Sequence, residues 1–288
     1  MGAIYGFFGK ILNLFYNVFG QNYGWALVAF TLLINIIILP LTLKQQKSTA
    51  DMQLIQPELT KLQAKYKNDK EKLNTEMMKL YQKYDINPMS GCLPLLIQLP
   101  IIFILYQVII KPLSYMQGLT AAHITELKTL LYGAEGASKV IDEVRLASEV
   151  SKLSPDVLSG LSFDFTNINL NFYGLDLGTT PSLSNPSLLW IIPVLAGATT
   201  YLLSWYTMRQ MNARKEQDGK KDEGAAPQMQ TMNKIMPLIT VYFTFSFAAG
   251  IGFYWISNNI FRFLQQVIAN KLIYGKKDPL VIDTRGKK

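Results

Sequence analysis

Residues 251–268 read IGFYWISNNIFRFLQQVI, a stretch apolar enough to enter a bilayer that carries Tyr254, Asn258, Arg262 and Gln265 along one helical face. An arginine near the middle of a spanning helix costs roughly 2.5–3.5 kcal/mol on insertion scales, so Arg262 is expected to line a wet cavity or meet an anion. A membrane protein that handles something polar is the reading that follows.

Four more apolar stretches, 25–43, 92–110, 188–207 and 235–249, precede this one. With a rise of about 1.5 Å per residue and a hydrocarbon core about 30 Å thick, the first three span comfortably, and the last two form a tight hairpin around Gly250. The expected fold is an all-α polytopic membrane protein, five transmembrane helices around a hydrophilic groove, with a cytoplasmic helical hairpin. The expected division is an interfacial N-terminal helix 1–20, transmembrane helix 1 at 21–43, the hairpin 44–88, transmembrane helix 2 at 89–111 and an extracytoplasmic loop 112–186. Transmembrane helix 3 at 187–208, a cytoplasmic loop 209–234, transmembrane helices 4 at 235–249 and 5 at 251–270, and a basic cytoplasmic tail 271–288 complete it.

Composition agrees with this class: the 288 residues are 49% hydrophobic and only 17% charged. A single cysteine, Cys92, excludes an internal disulfide. Orientation follows from charge. Residues 44–88 hold nine lysines against six acids, whereas 112–185 hold four Lys and Arg against eight acids. The positive-inside rule therefore puts the N-terminus and the 112–186 loop outside and the C-terminus in the cytoplasm. At the start, Ile4, Phe7, Phe8, Ile11, Leu12, Phe15 and Phe19 recur at helical spacing with no small-residue cleavage site after them, so a helix lying on the outer leaflet fits better than a cleaved signal peptide.

Between the first two spans, Met52, Ile55, Leu59, Leu62 and Tyr66 repeat at helical spacing, and Leu73, Met77, Leu80, Tyr81 and Tyr84 resume after Lys67-Asn68-Asp69. Asn68 and Glu71 have the spacing of a capping box for the second arm, Pro57 kinks the first arm or starts a helix, and Asn87-Pro88 ends the second. The outer loop predicts helices near 121–132 and 137–150, then an extended stretch from Phe163 to Leu177. His123, the one histidine, reads as a surface residue.

Polar side chains recur on the other spans too. Thr31, Asn35 and Thr42 share a face of the first, Thr200, Ser204 and Thr207 of the third, and Thr240 and Thr244 of the fourth. A single Ser or Thr of this kind is as readily interhelical glue. Four aligned sets and an arginine point instead to a shared groove. No His-Glu-x-x-His, Gly-x-Ser-x-Gly, phosphate-binding glycine loop or Cys/His cluster occurs, so neither an enzyme nor a bound metal, nucleotide or other cofactor is expected.

The run Leu39-Pro40-Leu41-Thr42-Leu43-Lys44-Gln45-Gln46-Lys47, then Ile55-Gln56-Pro57-Glu58-Leu59, Tyr81 to Pro88, Gly91-Cys92-Leu93-Pro94 and Gln98-Leu99-Pro100-Ile101 resembles the YidC family of membrane protein insertases. Gly252-Phe253-Tyr254-Trp255, Asn258-Asn259 and Gln265-Gln266 are similar to its final span. Resemblance implies the bacterial five-span form without a large outside domain, a groove open to cytoplasm and lipid, and a cytoplasmic hairpin that receives substrates. It also implies groove roles for Thr31, Tyr254 and Trp255, and Gln98 is a further candidate for the groove. Asn35 stands where the family usually has arginine, and Arg262 where it more often has a small polar residue.

The expected function is a membrane protein insertase and folding chaperone of the bacterial inner membrane, acting on nascent membrane proteins. The lipid bilayer is its medium, the ribosome a partner through the basic tail, and a Sec translocon a further possible partner. A small-solute transporter or channel is the alternative, since it would need the same polar lining; the repeats and broken helices of coupled transporters are not visible.

Overall fold

The computed structural model describes residues 2–86, 93–138, 140–217 and 227–269. Apart from one small β-ribbon and the irregular stretches on either side of it, the described chain is mostly helical. The helices are α1 (Gly2–Val18), α2 (Tyr23–Leu54), α3 (Gln56–Lys65), α4 (Lys70–Lys83), α5 (Leu93–Ile110), α6 (Pro112–Tyr115), α7 (Ala121–Tyr132), α8 (Glu143–Val150) and α9 (Pro155–Leu158). After the ribbon strands β1 (Asn171–Phe172) and β2 (Leu175–Asp176) come α10 (Ile191–Gln217), α11 (Pro227–Ser246) and α12 (Ala249–Ala269).

The stretches Tyr23–Gln45 and Leu188–Gln210 are helical, long and apolar enough to cross a membrane; Pro100–Ile110 and Ile235–Ser246 are shorter apolar helices. Helix α2 passes the expected boundary at residue 43 and runs through Pro40 to Leu54 without a break. Its start is well defined: Gly20 and Gln21 take positive φ, the Gln21 N–H returns to Tyr16 O, and Asn22 Oδ1 accepts from the Trp25 N–H at 3.2 Å. Gly9 lets α1 cross the chain at Tyr115, where a Cβ would lie 2.2 Å from the Tyr115 carbonyl oxygen. One apolar core joins α1, α2, α5, α6, α7, α8 and the first halves of α10 and α12.

Helices α3 and α4 have a core of their own, Ile55, Leu59, Leu80 and Ile86, flanked by Met52, Leu62, Met77, Tyr81 and Tyr84. Pro57 sits in the first turn of α3, where its missing N–H costs nothing, so it starts a helix and does not kink one. The cap of α4 is Asp69, which accepts from the Lys72 N–H at 3.0 Å, one residue later than the Asn68 expected. The turn bond from the Asp69 N–H to Tyr66 O sets that register. Asn87-Pro88 lies outside the described residues.

Between α6 and α10, α7 matches its expected span, and His123 both caps it with Thr120 and stacks on Phe163, with ring centroids 4.2 Å apart. The second helix is shorter than expected. Gly133 at φ 72 ends α7, a 3-10 turn occupies Ala134–Ser138, and α8 begins only at Glu143. The expected extended stretch is largely irregular and folds into a ribbon only at Asn171–Asp176, where Tyr173 and Gly174 both take positive φ in the two-residue turn.

That ribbon covers the N-terminal ends of two long helices. Phe172 packs on Trp25 of α2 and Phe253 of α12, with centroid separations of 5.6 and 4.8 Å. The loop behind it caps α12, because Thr179 O and Leu177 O accept from the Ala249 and Gly250 N–H groups. Gly250 is therefore inside α12. The break between α11 and α12 falls at Phe247 and Ala248, not at Gly250 as expected.

Candidate functional site

Helix α12 carries polar side chains on two faces, and each meets a different neighbour. Toward α2, Asn258 Oδ1 accepts from Asn35 Nδ2 at 3.1 Å, and Gln265 Nε2 donates to the Asn35 carbonyl at 3.2 Å. Asn35 Nδ2 also donates to Thr31 O at 2.8 Å, and Thr31 Oγ1 donates to Leu27 O at 2.6 Å. Thr31 and Asn35 are both buried, at 0% and 2% exposure, so they lie at the floor of the α2–α12 contact and not on an open wall. Asn258, Arg262 and Gln265 are half-buried.

Toward α10, Asn259 Nδ2 donates to Thr200 Oγ1 at 2.8 Å and to Thr199 Oγ1 at 3.2 Å, and Thr207 Oγ1 donates to Gln266 Oε1 at 3.0 Å. Thr200 is thus tied into the α10–α12 contact, with its own hydroxyl hydrogen given to Ala196 O. Thr240 and Thr244 are buried and donate to Met236 O and Thr240 O of their own helix; Thr244 also packs where a Cβ on Gly252 would fall. Ser204 and Trp255 are half-buried, and Tyr254 is buried. The Gln98 side chain lies outside the described residues.

The structure therefore brings Thr31, Asn35, Asn258, Arg262 and Gln265 to one place and Thr200 to another. Asn259 and Gln266, which sequence reasoning passed over, organise the second. The signal was present: consecutive residues on an α-helix point about 100° apart, so Asn258-Asn259 and Gln265-Gln266 cannot share a face. Tyr23 was also missed; its hydroxyl donates to Ile109 O at 3.0 Å inside the core, joining α2 to the C-terminal end of α5.

Two carboxylates, Glu143 buried and Asp176 half-buried, organise the region from α6 to β2. Burial pushes the Glu143 carboxyl above its usual range, although Ser114 N–H and Oγ–H both donate to it at 2.7 Å. Burial works on Asp176 in the same direction, but the bonds it accepts from Ser148, Thr179 and the Gly178 N–H, with Lys152 at 3.5 Å, prevail and hold it below its usual range.

The chain matches the model of the family described as 60Kd inner membrane protein over residues 14–277. A relative from Clostridium perfringens, "Membrane protein insertase YidC", is 34% identical over 268 residues, covering 91% of this chain and 83% of the relative. "Membrane protein insertase YidC 2" of Bacillus anthracis is 31% identical over 263 residues, 90% of this chain and 76% of the relative. A longer relative from Treponema denticola, also named "Membrane protein insertase YidC", is 32% identical across 91% of this chain but only 36% of its own length. The chain belongs to the 60Kd inner membrane protein family, whose curated members here carry the insertase name, and the resemblance read from its motifs is confirmed.

Proposed function

We propose that the chain is a membrane protein insertase and folding chaperone of the bacterial inner membrane, with nascent membrane proteins as substrates. The observation that carries this reading is the polar face of α12, Asn258, Arg262 and Gln265, laid against Thr31 and Asn35 of α2. Such a face in a bundle with an apolar exterior gives a substrate's polar flank hydrogen bonds and charge inside the bilayer, where an unsatisfied group costs several kcal/mol. No covalent bond changes, so the protein is not an enzyme. The substrate's own apolar length then favours its release into lipid.

In this reading α2, α5, α10, α11 and α12 are five spans. Their outward side chains include Ile37, Phe103, Leu202, Leu238 and Ile260, all exposed and apolar, as lipid contact requires. The outer region with α7 and α8 lies outside the cell, and the N-terminus with it. The α3–α4 hairpin lies in the cytoplasm, where its separate core suits a semi-independent element that receives substrates. The basic tail, outside the described residues, faces the same compartment and engages ribosomal phosphates. A Sec translocon is a second candidate partner.

Arg262 supplies the groove's charge in place of the arginine usual at position 35. A carboxylate about 4 Å from its guanidinium gains about 4 kcal/mol at an effective dielectric near 20, before desolvation is counted. Purified protein in liposomes, supplied with translating ribosomes that carry a single-span substrate, should insert that substrate without a solute leak. Solute flux without insertion would favour a channel instead.

A further inference from the structure

Asn35 is 2% exposed, and its amide nitrogen gives both hydrogens to described partners, Thr31 O and Asn258 Oδ1. Its other end does not match: Asn35 Oδ1 is buried and has no hydrogen-bond partner. Turning the amide over would set that oxygen against the Thr31 carbonyl oxygen, so the orientation is fixed by the network around it. A buried acceptor left open in a spanning bundle calls for a donor.

Arg262 stands where that donor is needed. It follows Asn258 by four residues and precedes Gln265 by three, one helical turn each way, and both of those residues are bonded to Asn35. The Arg262 side chain therefore leaves α12 level with Asn35. Its guanidinium offers five N–H donors, none of which has a hydrogen-bond partner among the described residues.

We propose that Asn35 Oδ1 is the seat of the Arg262 guanidinium in the empty groove, a positioning role that rests on the insertase reading above. The two groups are not bonded in this structure; Arg262 reaches Asn35 Oδ1 by turning its side chain and stays there until an acidic flank of an incoming chain draws it away. The seat does two things. It keeps a long cationic side chain from reaching out toward the cytoplasmic headgroups. It also sets the terms of selection: a neutral backbone carbonyl offers no more than the amide oxygen already does, whereas a carboxylate brings a full opposite charge and can take two guanidinium N–H groups at once. Asn35 thus makes a groove with one cation selective for anionic flanks.

The test uses the full-length protein in liposomes and two substrates that differ only in an acidic or neutral outer flank, with the ratio of their insertion as the readout. Arg262→Gln should lower the ratio about tenfold, the step between a charged and a neutral hydrogen bond. Asn35→Leu should lower it as far, and adding Arg262→Gln to Asn35→Leu should lower it no further. A structural role for Asn35 alone would depress both substrates together and leave the ratio in place, and that result overturns the proposal. If Asn35→Leu fails to reach the membrane, Asn35→Asp carries the test: a carboxylate in the seat holds Arg262 against any incoming acid, so the ratio falls, and a retained ratio overturns the seat. An unchanged ratio in Arg262→Gln itself would instead remove the insertase's charge reading, which separates the two failures.

Discussion

Gly24 and Phe172 occupy space that only one side chain can fill. A Cβ on Gly24 would lie 2.2 Å from Phe172 Cδ2, so the ribbon closes over the N-terminal end of α2 only because position 24 has no side chain. The same ring rests on Phe253 of α12. One aromatic residue of the ribbon therefore fixes the N-terminal ends of the two helices whose polar faces meet at Asn35.

Gly24→Val should dislodge the ribbon and cost about 1–3 kcal/mol, as overpacking of a closed core does. Unfolding in mixed micelles measures it. Gly24→Val with Phe172→Ala should recover part of the loss, because the ring that clashes is gone.

Asn259→Leu should loosen α12 from α10 by about 0.6–2 kcal/mol, the range of interhelical hydrogen bonds in membranes, through loss of both threonine contacts. The same unfolding measurement checks this. Asn258→Leu, one position away, breaks the bond to Asn35 instead and should alter the acid-to-neutral substrate ratio.

Glu143 carries a pH signature. Its folded pKa lies above the ordinary 4.5 because burial penalises the charge, so the folded state holds its proton more tightly than the unfolded state does. Its contribution is complete below 4.5 and is lost as pH rises through the folded value. Glu143→Gln keeps an acceptor for the Ser114 N–H and should flatten that decline in a thermal unfolding series. Glu143→Ala strands a partly buried N–H and should cost about 1–3 kcal/mol at every pH.

The α3–α4 hairpin is held at its open end by Tyr84, whose hydroxyl donates to Glu58 Oε1 at 2.5 Å and is pushed up to about 12 by that bond. Its contribution is complete below pH 10 and is lost as pH rises to about 12. Tyr84→Phe should make the hairpin the first segment to exchange amide hydrogens, with the bundle unchanged.

Much of this architecture was legible in residue order. The apolar runs gave the long helices, and the spacing of Tyr254, Asn258, Arg262 and Gln265 gave the polar face of α12. Which helix that face meets was not legible: threonines occur on every neighbour, and Thr240 and Thr244 turn their hydroxyls to their own backbone while Thr200 receives Asn259. The cap of α4 missed by one residue because Asn68 and Asp69 are both competent caps. The helix expected at 137–150 failed because Gly136 must fit against Lys128 O, where a Cβ would lie at 2.4 Å, and the chain bends there. Contacts such as Tyr23 with Ile109 join residues 86 positions apart and leave no periodic trace.

The central claim is that Arg262 acts as the charge of an insertion groove, and one comparison tests it most directly: insertion of a substrate with an acidic outer flank by Arg262→Ala and by Arg262→Ala with Asn35→Arg, at equal protein levels in the membrane. Arg262 lies about 20 Å along α12 from Ala249, and Asn35 faces the same contact from α2, so either position presents a guanidinium to the same substrate. Insertion should fall in the single variant and return in the double one. Full insertion by Arg262→Ala alone, with folding intact, would contradict the account.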